Sequence, residues 1–170
     1  MKKILSISVL AIALFSCKKS GSGSPVNSIT ATIADTVYTF NQNILDTTLF
    51  QSGTLESAVI ASDQNLVEAA VIFGTKSDRI TTTTYGHFGD SINLAEFQIM
   101  FPNGRTYSST SISESPSSPF LIDLTSFTTT HSQGTFTGTV YLNGDTTSTD
   151  KKVITNGSFN FTNPINKLAL

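Results

Sequence analysis

On Leu66-Val67-Glu68-Ala69-Ala70-Val71-Ile72-Phe73 an all-β assignment stands or falls. Two local structures compete for it. Leu66, Ala69, Ala70 and Phe73 fall at helical spacing, and Ser62 could cap a helix there. The same run, apolar at nearly every position, suits a strand buried on both faces. The run is short, Gly74 stops it, and the segments around it carry the two-residue period of strands, so the sequence predicts a strand.

Before this run, Asp63-Gln64-Asn65 reads as a turn and residues 57–62 as a strand. Ser28-Ile29-Thr30-Ala31-Thr32-Ile33 alternates, placing Ile29, Ala31 and Ile33 on one face. Ala34-Asp35-Thr36 would turn it into Val37-Tyr38-Thr39-Phe40. On the C-terminal side, Ala95, Phe97, Ile99 and Phe101 alternate within residues 92–101. Pro102-Asn103-Gly104 is a turn into Arg105-Thr106-Tyr107. Residues 113–119, rich in Ser and Pro, read as an exposed loop, and residues 120–130 as a strand. His131-Ser132-Gln133-Gly134 would turn that strand into residues 135–142. There Tyr141 alternates with Val140 and Leu142, which predicts one solvent-facing side. Asn143-Gly144-Asp145 opens a polar loop, residues 153–162 close the domain, and residues 163–170 read as a last turn or a tail. Gly134-Thr135-Phe136-Thr137-Gly138 and Gly157-Ser158-Phe159-Asn160-Phe161 suggest a C-terminal hairpin. Strands at such spacing, roughly every 8–12 residues, predict an all-β fold: a single antiparallel β-sandwich or barrel of about eight or nine strands.

The first residues carry a different signal. Met1-Lys2-Lys3 is cationic, and residues 4–15 are mostly apolar. That run matches a secretory signal and falls short of the roughly 20 residues a membrane span needs. It ends in Leu14-Phe15-Ser16-Cys17, which resembles the lipobox of bacterial lipoproteins, with Phe15 bulkier than usual in the middle. The resemblance implies cleavage before Cys17 and acylation of that cysteine, with two or more chains needed for stable anchoring. The predicted organisation is a signal peptide over residues 1–16, a lipidated Cys17 with a flexible Ser/Gly tether to residue 27, and a β domain over 28–170. Loss of Lys2 and Lys3 would take the net charge from −2 to −4. That balance offers no basic surface for nucleic acid. The expected membrane contact is the N-terminal lipid.

Lipobox, tether and Thr-rich β domain together make the chain similar to small β-rich lipoproteins of the Bacteroidota. The phrases that carry this are Ile29-Thr30-Ala31-Thr32-Ile33, Gly134-Thr135-Phe136-Thr137-Gly138 and Ile154-Thr155-Asn156-Gly157-Ser158-Phe159-Asn160-Phe161. The resemblance implies an outer-membrane, cell-envelope protein and supplies no catalytic residues. Surface export in that group follows an acidic stretch after the cysteine. Here Lys18-Lys19-Ser20 stands there, which favours the periplasmic face. The group also glycosylates Asp-Ser/Thr triplets, which makes Thr36, Thr47, Ser91 and Thr146 candidate O-glycosylation sites.

Chemistry-bearing residues are sparse. Cys17 is the single cysteine, and His87 and His131 are the only histidines. Tyr85-Gly86-His87-Phe88-Gly89-Asp90 is a glycine-punctuated loop in which His87 and Asp90 could contact a ligand, while His131 reads as a turn residue. No Gly-x-Ser-x-Gly elbow, phosphate loop or dinucleotide fingerprint occurs. Two scattered histidines without a free thiol do not make a zinc site, and residues 143–150 read as a solvated loop rather than a calcium site. The expectation is no catalytic residue, metal or cofactor. The leading reading is a binding or scaffolding module with a protein or glycan partner. The alternatives are a barrel carrying a small apolar ligand, and a glycan-binding or adhesive module using Tyr38, Tyr85, Tyr107 or Tyr141.

Overall fold

The computed structural model describes residues 26–51, 54–76, 79–86, 93–109, 120–162 and 166–167. Its first hairpin joins β1 (Ser28–Ile33) to β2 (Thr36–Phe40). Ala34 and Asp35 both take positive φ, 46° and 66°, the two-residue turn whose hand matches the twist of the flanking strands. Ile29, Ala31 and Ile33 are buried as the alternation predicts.

After Asn41 the chain continues as β3 (Gln42–Gln51), bulged at Asn43, whose φ is 49°. Here it changes neighbours. β2 pairs with β1, whereas β3 pairs antiparallel with β4 (Thr54–Ser62). The disputed stretch is a strand, β5 (Glu68–Thr75), held in full register between β4 and β7 (Asn93–Met100). Leu66 lies outside it, exposed and at φ 61°. Asp63 shapes the loop before it, its Oδ1 accepting the N–H groups of Asn65 at 2.7 Å and Val67 at 3.0 Å.

The remaining strands are β6 (Thr84–Gly86), β8 (Thr106–Ser108), β9 (Leu121–Phe127), β10 (Ser132–Leu142), β11 (Lys151–Phe161) and β12 (Asn166–Lys167). The sheet runs β12-β3-β4-β5-β7-β8-β10-β11-β1-β2, with β9 pairing β10 and β6. Pairing is antiparallel except between β12 and β3. Because β2 and β3 are one bent strand with β1 on one side and β4 on the other, the sheet curls into a nearly closed barrel.

The described residues form twelve strands, more than the alternation predicts. β3 was hidden because its polarity is inverted: Asp46 and Thr48 are buried while Leu45 is 47 % exposed. β6 and β12 are too short to show a period, and β12 lies in what read as a tail. Two turn and face expectations are also corrected. The β9–β10 turn lies at residues 128–131, closed by the Thr128 N–H donating to the His131 carbonyl at 2.7 Å, and Ser132, Gln133 and Gly134 belong to β10. Tyr141 has no solvent side. It is buried beside Val140 because β10 is an inner strand, with Ser108 and Lys151 directly opposite Tyr141 on its two flanks.

Phenylalanines fill the interior. Phe73 contacts Tyr85, Phe127 and Phe159 with ring centroids 5.6–5.8 Å apart, and Phe97 stacks on Phe136 at 5.1 Å. The C-terminal hairpin read from the two glycine–phenylalanine phrases is present, and the phrases interlock. Gly157 sits opposite Phe136, and Gly134 opposite Phe159. A Cβ on Gly157 would come within 2.4 Å of the Phe136 ring and 2.5 Å of its carbonyl oxygen. Each glycine is the space a ring across the ladder occupies. Gly157→Ala is therefore expected to lower stability by about 2 kcal/mol through overpacking, as measured by urea unfolding.

Candidate functional site

The bend at Asn41 builds the site. The Asn41 N–H donates to the Ser62 carbonyl at 3.0 Å, the last bond that ties this strand to β4. Beyond Ser62 the chain turns away through Asp63, Gln64 and Asn65, while β2 runs on. The separation leaves a groove of about 510 Å³ lined by Thr36, Val37, Tyr38, Thr39, Asn41, Gln42 and residues 63–65. That volume lies within the roughly 300–1,000 Å³ range of ligand sites. Its walls are mainly amides and hydroxyls, and one aromatic ring borders it: Tyr38, half-buried, stacked on Phe40 at 5.8 Å. No sequence motif marked this groove, because its two walls are far apart in the chain and are brought together by the pairing of residues 41–43 with Ser62.

Of the candidate glycosylation residues, Thr36 is exposed on the groove rim and Thr146 is exposed in the β10–β11 loop, while Thr47 on β3 is half-buried. Cys17, Ser91, His87 and Asp90 lie outside the described residues. The tyrosines divide sharply. Tyr85, Tyr107 and Tyr141 are buried, so stacking on a ligand through them is excluded, and Tyr38 alone of the four borders the groove. The carboxylates of the β10–β11 loop do not converge on a cation. Asp145 Oδ1 accepts from the backbone and hydroxyl of Thr147, which holds its carboxyl below the usual range, and Asp150 accepts from Arg105 and Tyr107.

Three polar arrangements escaped the sequence reading. His131 is more than a turn residue: its ring links Ser126 Oγ at 2.9 Å to Asn160 Oδ1 at 3.2 Å. A hydroxyl, an imidazole and an amide in a row resemble a nucleophile–base–orienter set. The row spans the β9–β10 turn and β11, and it stitches that turn to the end of the barrel where Asn27 caps the ladder through Thr162. Glu56 and Glu96 flank Gly74 and Ile72 on the outer face, around a hollow of about 90 Å³. Burial first, and Glu56 second, push the Glu96 carboxyl up. The hollow is well below the few hundred Å³ of a ligand pocket. Asp46 is buried on β3, and neither of its carboxylate oxygens has a hydrogen-bond partner among the described residues. Burial pushes its pKa from the ordinary 3.8 to about 6.

Compared with protein-family models, with curated proteins and with solved structures, the chain gives no match.

Proposed function

We propose that the protein is a lipid-anchored binding module of the cell envelope, held to the outer membrane through Cys17 and facing the periplasm, with a polar ligand seated in the groove between β2 and the β4–β5 loop. The observation that carries the reading is the groove itself, a concave site of amides, hydroxyls and one aromatic edge built on rigid strands. The packed interior argues against the apolar carrier, since Phe73, Phe97, Phe136 and Phe159 occupy the space such a ligand would need. The module is read as non-enzymatic, since the His131 row is spent on tying strands together and the Glu56–Glu96 hollow is too small to hold a substrate. The anchor rests on the cationic start, apolar run and cysteine of residues 1–17.

The test is the intact mass of protein purified in mild detergent from its own host. The expected denatured mass is that of residues 17–170 plus acyl chains, and Cys17→Ser loses both the cleavage and the acyl mass. Hexose-sized increments would report sugar on Thr36, Ser91, Thr146 or Thr47. Under native conditions an added mass is expected that the Gln64→Ala/Asn65→Ala variant no longer carries. An unacylated denatured mass rejects the anchor, and a native adduct indifferent to the groove variant rejects the site.

A further inference from the structure

We infer that the ligand of this groove is a single extended peptide segment, which adds to β2 as a strand in the lane that β4 vacates at Ser62. The inference rests on the groove being the binding site, and it assigns the ligand's class.

The backbone geometry carries the argument. Ile33 and Thr36 close the two-residue turn, so Thr36, Tyr38 and Phe40 face β1 with their backbone hydrogen bonds. Val37 and Thr39 therefore aim their N–H and C=O groups the other way. Asn41 confirms the direction: two residues beyond Thr39, its N–H points to β4 and meets the Ser62 carbonyl. Asn41 is thus paired in that lane, while Val37 and Thr39 have no strand beside them among the described residues. The opposite end of the sheet order is different, because β12 covers the outer edge of β3. One end of the sheet is closed by the chain's own strand. Among the described residues the other end has no strand beside it, and it faces a groove.

The shape of the groove selects the occupant. An open edge flat to solvent would invite a second copy, β2 to β2. Here Asp63, Gln64 and Asn65 stand across the lane, so a whole sheet edge with a strand behind it meets a wall, while one strand does not. The free stretch from Thr36 to Thr39 is four residues of strand, about 14 Å. The side chains on either face of the lane are Val37, which is 73 % exposed, and Tyr38. Cross-strand pairing then favours β-branched or aromatic residues in the segment, with backbone bonds supplying the attachment and alternate side chains the choice of partner.

The experiment selects linear peptides from a display library against the lipidated full-length mature protein, then measures their affinity for two variants and the exchange of backbone amides. Thr39→Pro removes the outward N–H while leaving the β1 pairing in place, since that N–H does not face β1. Thr39→Ala removes the side chain and keeps the donor. The expected result is at least about tenfold weaker peptide binding with Thr39→Pro and little change with Thr39→Ala. In the unmodified protein the same peptides slow amide exchange at Val37 and Thr39. Peptides that bind without slowing those amides overturn the inference. So does a chain that dimerises through β2, detected by sedimentation. A glycan that binds, loses affinity with Asn65→Ala and leaves the two amides unprotected also overturns it, while the groove itself survives as the site. If neither peptide nor glycan binds at the groove, both readings fall together.

Discussion

Phe73→Ala lowers the unfolding free energy by about 4 kcal/mol. Phe73 lies on β5 and is fully buried. Its ring stacks on Phe159 of β11 and meets Tyr85 of β6 and Phe127 of β9. These strands come from widely separated parts of the chain, so the one ring ties one wall of the barrel to the other. Alanine loses the transfer free energy of the ring and leaves a void that three rigid aromatic neighbours refill poorly. For a domain of this size the fall corresponds to roughly 8–16 °C in melting temperature. Calorimetry or urea unfolding measures it directly. A loss under about 2 kcal/mol would mean that Tyr85, Phe127 and Phe159 rearrange to fill the space.

Asp46→Val raises stability by about 3 kcal/mol near pH 7, and the gain shrinks toward zero as the pH falls to about 4. The reason is the buried, unpartnered carboxylate on the inner face of β3. Its pKa of about 6 in the fold stands against 3.8 for an exposed aspartate. The folded form therefore holds this proton more tightly than the unfolded chain. Below about pH 4 both states are protonated and the site costs little. Between about pH 4 and pH 6 the unfolded chain releases its proton first, and stability is lost as the pH rises. Above about pH 6 the loss is complete. Glu96, also raised by burial and by Glu56, adds a dependence of the same sign. The measurement is urea unfolding across that pH range for the unmodified chain and the variant. Valine suits the position because Asp46 lies opposite Val59 in the β3–β4 ladder. A variant no more stable than the unmodified chain at either end of the range would show that Asp46 ionises freely in the fold.

Much of the architecture was legible residue by residue. Ile29, Ala31 and Ile33 are buried on one face because alternation in a strand is a local property of the pleat. β5 was legible from its short apolar run, although the run alone did not separate strand from helix and the strand passes through Gly74, expected to stop it, to Thr75. The hairpin of β10 and β11 was visible in its glycine–phenylalanine phrases. β3 was not visible, because Asp46 and Thr48 face inward and Leu45 outward, which reverses the polarity that a period is read from. The groove was not visible either. Thr36–Thr39 and Asp63–Asn65 are ordinary turn and strand residues in sequence, and only pairing across the barrel sets them face to face.

The all-β class and the positions of most strands follow from local pattern, since side-chain period and turn chemistry act over a few neighbouring residues. Long-range pairing is what curls the sheet into a nearly closed barrel. It also decided that Asn41 hands the strand from β1 to β4 and that, among the described residues, Asp46 is buried without a hydrogen-bond partner and β2 has no strand on its outer edge. Those outcomes depend on which distant edges meet and in what register. Many pairings of the same strands would satisfy the local pattern equally well, and long-range packing of the aromatic core selects among them.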